Sequence, residues 1–182
     1  MEKFENKLSI FKKENNCLPE QIFQNKNLKF LFTIGGHLVE DEKQYFELMK
    51  YFEGIGETKI FLTENIELIT SKRRKAYNIQ IETDTKLDVF NDKIQNIDND
   101  EFFFNKSSFF VYGVNPNWGI YISENPTILI IWCIEEYILD FKRIYKIKGN
   151  GYQKIKNFVK KEYNGRMDNV KIFENNYLGK NA

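Results

Sequence analysis

The segment at residues 109–133, FFVYGVNPNWGIYISENPTILIIWC, limits the possible folds of this chain more than any other. It consists of three apolar runs that are separated by two Asn-Pro turns. Proline fixes φ for a turn and cannot donate a hydrogen bond within a sheet, so both prolines stand where an antiparallel meander needs them. The segment therefore predicts three consecutive antiparallel strands, at residues 109–114, 118–123 and 127–132.

Helix and strand patterns flank this meander on both sides. In EDEKQYFELMKYF, residues 40–52, apolar side chains recur at i, i+3, i+4 and i+7, which predicts an amphipathic helix. The helix dipole stabilises the acidic residues at its start, and Gly54 and Gly56 end it. Similar patterns predict helices at residues 1–16, 135–145 and 152–163, and strands at 28–34, 59–62, 66–70, 77–81 and 170–173.

The order of these elements indicates the fold class. Strands that cluster in a meander, instead of alternating with helices, predict an α+β fold with a mostly antiparallel sheet. We expect the late helices to cover one face of that sheet. The chain has 182 residues and no linker rich in Gly, Ser or Pro, which predicts a single domain.

Composition and the apolar runs predict a compartment. The chain is 42% hydrophobic and 29% charged, which is typical of a globular protein. Its charged N-terminus has no apolar run of signal-peptide length, and the longest apolar run, residues 128–134, is too short to cross a bilayer. The two cysteines fit a reducing compartment. We expect a cytoplasmic protein with no membrane segment, and the many Lys, Asn, Ile and Phe residues are typical of AT-rich bacterial genomes.

Charge is distributed unevenly along the chain, although the net charge is only +1. Residues 1–141 carry 16 basic and 23 acidic side chains, whereas residues 142–182 carry 11 basic and 3 acidic ones. Separated charge of this kind forms an oriented interaction surface if the two parts lie apart, and it is neutralised if they pack together. The sequence leaves both arrangements open.

Motifs for catalysis or cofactor binding are scarce. His37 is the only histidine, it lies in GGHLVED rather than in a nucleophile elbow, and no spacing recommends a pair with Cys17. The two cysteines and one histidine lack the spacing of a zinc site. EGIGETK contains two glycines but follows a helix, which is the reverse of a dinucleotide-binding loop. We therefore predict no catalytic residue, no metal and no cofactor, and favour a protein that is not an enzyme.

One acidic cluster keeps an enzymatic alternative open. The sequence NIDNDEFF offers Asp98, Asp100 and Glu101 as oxygen ligands. It lacks the glycine that a calcium loop requires, and a solvated acidic turn is the simpler interpretation. The alternative hypothesis is a carboxylate-based, metal-dependent hydrolase.

A basic cluster provides a second alternative. SKRRK, at residues 71–75, lies between two predicted strands and is either a solvated hairpin tip or a clamp for phosphates. In the second case the protein binds nucleic acid, helped by the basic final helix. The residues that would make these contacts are Lys72, Arg73, Arg74 and Lys75.

Acidic side chains are densest at residues 82–101, where seven acids accompany two lysines. Opposite potentials accelerate the encounter with a partner and discriminate against wrong ones. The segment therefore predicts a surface that docks onto a basic protein, with a flexible solvated loop as the other interpretation. The predicted contact residues are Asp84, Asp88, Asp98, Asp100 and Glu101.

The meander and the helix after it also carry a resemblance. NWGIYISENPTILIIWC, followed by EEYILDFKRIY, resembles a segment of small bacterial α+β proteins of the toxin-immunity type. The resemblance covers residues 109–145 and rests mainly on Trp118, Ile120 and Tyr121. It implies a protein that binds and blocks a toxin without catalytic residues. Trp118 and Tyr121 would then be either partner-binding anchors or core residues.

The preferred hypothesis from sequence is therefore a cytoplasmic bacterial protein-binding module. In its specific form it is an immunity protein that neutralises a cognate toxin, with a basic toxin domain as the partner. The metal-dependent hydrolase and the nucleic-acid-binding protein remain as alternatives.

Overall fold

The computed structural model of the protein describes residues 29–64, 78–100, 108–124 and 127–162, without the side chains at 95–100, 124, 159 and 162. Within these ranges the chain forms six strands and four α-helices. The strands are β1 Lys29–Ile34, β2 Lys59–Glu64, β3 Asn78–Glu82, β4 Phe109–Tyr112, β5 Trp118–Glu124 and β6 Thr127–Cys133. The helices are α1 Glu42–Gly54, α2 Leu87–Asp100, α3 Ile138–Ile144, which follows the short 3-10 helix Glu135–Tyr137, and α4 Tyr152–Glu162.

The strands form one open sheet in the order β1-β6-β5-β4-β2-β3, and every neighbouring pair is antiparallel. The predicted meander is confirmed as its centre, because β5 pairs with β4 on one side and with β6 on the other. Strand β2 pairs with both β4 and β3. The predicted strands at 66–70 and 170–173 and the predicted helix at 1–16 lie outside the described residues. The protein has an α+β fold with an antiparallel sheet, as predicted.

Both faces of the sheet are apolar along the central strands, since successive side chains of a strand point to opposite faces. On β6, Leu129, Ile131 and Cys133 belong to one buried cluster, and Ile128, Ile130 and Trp132 belong to the other. This is why the strand reads as a continuous apolar run instead of alternating with polar residues. Helices α1, α2 and α3 pack on the first face, and α4 packs on the second.

The prediction that the late helices share one face is wrong. Ile138, Phe141 and Ile144 of α3 pack with α1 on the first face. Ile155 of α4, with Tyr152, packs on the opposite face against β1. An apolar stripe shows that a helix needs a sheet to pack on, but it does not indicate which face of a sheet with two apolar faces will receive it.

The acidic segment at residues 82–101 is mostly helical, so the loop interpretation is wrong for residues 87–100. Helix α2 follows β3 after a short turn and places Leu87, Phe90 and Ile94 against the first buried cluster. These positions are three and four residues apart and therefore lie on one helical face.

Helix α1 begins as its acidic residues predict, with Asp41 as the N-cap. The Asp41 carboxylate accepts a hydrogen bond from the Gln44 backbone N–H at 2.7 Å. The Gln44 side chain accepts one from the Glu40 backbone N–H at 2.7 Å and donates one to the Ile144 carbonyl at 3.2 Å. The cap of α1 therefore also connects the start of α1 to the end of α3.

The edge strand β1 is partly covered by the turn before α4. The Phe32 backbone N–H donates a hydrogen bond to the Asn150 carbonyl at 2.8 Å. This N–H on the edge strand is therefore not available to pair with a strand of another chain. The turn needs glycine because Gly149 and Gly151 have φ of +61° and +78°. At Gly151 the approach is also close, since a Cβ atom would overlap the Phe32 carbonyl oxygen.

We expect Gly151→Ala to destabilise the protein more than Gly149→Ala. Both changes force alanine into the left-handed region, which costs about 1–2 kcal/mol. Only Gly151→Ala adds an overlap with β1, since a Cβ at Gly149 meets nothing within 4 Å. Urea denaturation would measure the difference, which we expect to exceed about 1 kcal/mol. Equal losses would show that the turn does not hold the β1 edge.

The buried thiol of Cys133 makes the free energy of unfolding fall at alkaline pH. Burial, aided by the Glu135 carboxylate, raises the pKa of this thiol from 9.0 to about 12. Since the folded-state pKa is the higher one, the contribution of Cys133 is fully present below about pH 9 and is lost as the pH rises towards 12. We expect the unfolding free energy to fall less between pH 8.5 and 11 in Cys133→Ala than in the wild type. An identical fall in both would contradict the assignment.

Candidate functional site

Two of the predicted contact residues, Asp84 and Asp88, are exposed where β3 leads into α2. Asp84 lies in the turn after β3, and Asp88 lies in the first turn of α2. The helix dipole stabilises a carboxylate in that first turn. The two aspartates are four residues apart on either side of the start of the helix.

Tyr45 of α1 places this turn against the helix layer. Its hydroxyl donates a hydrogen bond to the Thr85 carbonyl, and its ring lies 5.0 Å from that of Phe90 in α2. Burial, and then the charges of Asp84 and Asp88, raise the pKa of Tyr45 to about 12. Both carboxylates therefore disfavour ionisation of the same hydroxyl.

Two apolar side chains are exposed on the helices that meet here, Phe46 on α1 and Val89 next to Asp88 on α2. Phe46 is 54% exposed and Val89 is 43% exposed, although both are of types that folding normally buries. The Phe46 ring packs edge-on against that of Tyr45, at a centroid distance of 5.7 Å. Phe46, Asp84, Asp88 and Val89 are called the acidic surface below.

The acidic surface lies in a stretch with a clear charge bias. Residues 82–92 carry four acids and one base, and all five side chains are exposed. They are Glu82, Asp84, Lys86, Asp88 and Asp92. The negative charge of this stretch, which includes the exposed Val89, is complementary to a basic protein surface with apolar contacts of its own.

The basic helix α4 lies on the other side of the sheet from α2. Helix α2 carries four acids and one base, and α4 carries four bases and one acid. Phe90 of α2 packs in the first buried cluster, whereas Ile155 of α4 packs in the second. Lys154, Lys160 and Lys161 of α4 are exposed. Of the two arrangements that the sequence left open, the separated one is therefore correct for these two helices.

The other predicted site residues are placed as follows. Asp98 and Asp100 lie in the helical backbone of α2, but their side chains are outside the description, and Glu101 lies outside the described residues. The basic cluster also lies outside them, at Lys72, Arg73, Arg74 and Lys75.

Trp118 and Tyr121 are core residues. Trp118 is fully buried and stacks on Phe52 at 4.3 Å, and Tyr121 is 3% exposed on the opposite face of the sheet. Of the two roles expected for them, burial supports the core role. Neither side chain is presented to a partner in this structure.

A buried carboxylate, which the sequence patterns did not single out, organises the β4–β5 turn. The end of α1 is a Schellman motif, in which the N–H groups of Gly56 and Glu57 donate to the carbonyls of Glu53 and Phe52. Gly56 takes the left-handed conformation that the motif requires, with φ of +83°. The motif sends the Glu57 side chain towards the turn, where it is 2% exposed.

The Glu57 carboxylate accepts three hydrogen bonds there. They come from the backbone N–H groups of Val114 and Asn115, at 2.7 and 2.9 Å, and from the indole N–H of Trp118, at 2.9 Å. Burying an unpaired charge is very costly, so these three donors are what makes the position possible. The carboxylate thus ties the end of α1 to the turn and to the start of β5.

Replacing Glu57 with glutamine keeps the shape but places an amide N–H₂ against a backbone N–H donor. We expect Glu57→Gln to reduce the free energy of unfolding by about 1–3 kcal/mol, because one buried donor loses its acceptor. Glu53→Gln is the matched control, since Glu53 is exposed at the end of the same helix. Urea denaturation followed by tryptophan fluorescence compares them. Equal stabilities would contradict a structural role for the Glu57 charge.

His37 is exposed beside a small cavity of about 120 Å³, which Glu40, Asp41 and Lys146 also line. Among the side chains that the structure describes, no group of three or more His, Cys, Asp or Glu residues is arranged to hold a metal ion. Cys17 lies outside the described residues.

No helix within the described ranges is both long and apolar enough to span a membrane.

Comparison of the chain with family models, with curated proteins and with solved structures gives no significant match. The resemblance of residues 109–145 to toxin-immunity proteins therefore stays a prediction from the quoted residues.

Proposed function

We propose that this protein acts by binding a basic protein partner through the acidic surface. One observation carries the proposal: the sheet holds the acidic α2 and the basic α4 on opposite faces, and the acidic side also exposes Phe46 and Val89. Charge that is separated in this way orients an approaching partner and raises the rate of encounter. Val89 within the acidic stretch and Phe46 on the neighbouring α1 then supply apolar contact area that desolvates on binding.

The specific form of the proposal is an immunity protein. Its partner is a basic toxin domain, and the complex is tight and stoichiometric. The support is the resemblance of residues 109–145 together with the acidic surface, whose charge suits a basic toxin. No catalytic residue takes part, because such a protein works by covering its target.

Affinity capture with the wild type and two variants tests the proposal. The wild type is expected to capture one basic protein at a 1:1 ratio, which light scattering of the purified complex measures. Asp84→Lys combined with Asp88→Lys is expected to weaken that complex by at least about tenfold, because it reverses the local charge. Phe46→Ala is expected to weaken it similarly through lost apolar contact.

Two matched controls make this result specific. Lys160→Glu with Lys161→Glu reverses two charges on α4, and Val114→Ala shortens an exposed apolar side chain on the β4–β5 turn. Both are expected to leave the complex intact. A partner that binds the Asp84/Asp88 variant as tightly as the wild type would refute the acidic surface as the site. If the partner is a toxin, co-expression of the wild type, and not of that variant, restores growth of cells that produce it.

A further inference from the structure

The acidic and basic helices are associated with opposite edges of the sheet as well as with opposite faces. Helix α4 packs against β1, one edge strand, and α2 begins shortly after β3, the other edge strand. At about 4.8 Å between neighbouring strands, the edges of this six-stranded sheet are about 24 Å apart. That distance exceeds the Debye length, which is about 10 Å at 0.1 M salt. The charges at the start of α2 and on α4 are therefore too far apart to pair within one copy.

Both ends keep an excess of one charge when every neighbouring charged residue is counted. Residues 82–100, from the end of β3 to the end of α2, carry six acids and two bases, and Lys59 of β2 lies opposite Glu82. Residues 148–162, which include α4, carry five bases and one acid. Even with Lys59, the first segment has an excess of three negative charges and the second has an excess of four positive ones.

The exposed charges at both ends are also unpaired. Asp84, Asp88, Lys154, Lys160 and Lys161 are all exposed, and within the described part of the chain none of them forms an ion pair. Lys154, Lys160 and Lys161 are called the basic face of α4 below. Each copy therefore presents two complementary surfaces that it cannot satisfy by itself.

We infer that copies of this protein associate head to tail, with the acidic surface of one copy on the basic face of α4 in the next. The net charge is only +1, so copies do not repel one another at long range. The methylene stems of the lysines supply apolar contact for Phe46 and Val89, while their ammonium groups reach the carboxylates. A polyanion would match the basic face alone, whereas a second copy matches both surfaces.

Such a contact is heterologous, because two different surfaces form it. Each contact leaves one acidic surface and one basic face uncovered at the two ends, where further copies bind. The product is a chain of copies that lengthens with protein concentration. The inference rests on the acidic surface of the proposed function and adds a form of regulation to it, since a basic partner must displace a copy from that surface.

Sedimentation velocity of the full chain at low and high salt tests the inference. At about 20 mM salt, where charges act over about 20 Å, we expect the average mass to rise with protein concentration. At about 0.5 M salt we expect the monomer, because the charges are screened. Asp84→Lys with Asp88→Lys, and Lys160→Glu with Lys161→Glu, are each expected to weaken association at low salt by at least about tenfold.

A fourfold variant that combines these changes separates surface complementarity from net charge. It exchanges the charges of the two surfaces and keeps the wild-type net charge. We expect it to associate within about threefold of the wild type, because the second pair of changes compensates the first. Glu135→Lys with Glu136→Lys changes the net charge as much as the Asp84/Asp88 variant does, at exposed residues outside both surfaces. We expect this control to weaken association less.

Three results would overturn the inference. They are a wild type that stays monomeric at low salt, a fourfold variant that associates no more strongly than the double variants, and a Glu135/Glu136 control that weakens association as much as the Asp84/Asp88 variant does. Asp84→Asn with Asp88→Asn replaces the lysine variant if that variant fails to fold.

Failure of this inference is distinguishable from failure of the proposed function. Self-association with the expected salt and charge dependence, without any captured basic protein, would contradict the proposed function alone. A captured basic protein that depends on Asp84 and Asp88, together with a wild type that is monomeric at low salt, would contradict the self-association alone.

Discussion

The position of the helix layer on the meander depends on the three hydrogen bonds that the Glu57 carboxylate accepts. It lies just after α1, and its three donors lie in the β4–β5 turn and at the start of β5. Gly113 has no side chain, and a Cβ atom there would overlap the carboxylate. The stacking of Phe52 on Trp118 continues the same junction with apolar contact. A helix end and a sheet turn are thereby fixed relative to each other by directional bonds, where apolar packing alone would allow several arrangements.

From that junction the helix layer spreads over one face of the sheet. Tyr45 connects α1 to the start of α2, and Gln44 connects α1 to the end of α3. The opposite face is apolar too, and α4 packs there. Because the sheet lies between them, the acidic α2 and the basic α4 do not neutralise each other. The proposed partner binding depends on this separation.

Much of the sheet was predictable because its signals are local. The apolar runs and Asn-Pro turns place β4, β5 and β6, and the periodicity and acidic start place α1. Helix α2 escaped prediction because acids and asparagines with low helix propensity dilute its apolar positions, Leu87, Phe90 and Ile94. The role of Glu57 was not predictable, since its donors lie more than 50 residues away in the chain. Only one weak sign in the sequence pointed to the exposure of Phe46: the residue is aromatic but lies outside the apolar face of α1.

Charge separation between α2 and α4 across the sheet can be measured without a partner, by paramagnetic broadening with charged nitroxides. Amide signals are compared in the presence of a cationic and an anionic nitroxide of the same size. We expect the cationic probe to broaden Asp84 and Asp88 more strongly, and the anionic probe to broaden Lys160 and Lys161 more strongly. Equal broadening of both groups by the two probes, or the opposite pattern, would rule out this charge separation.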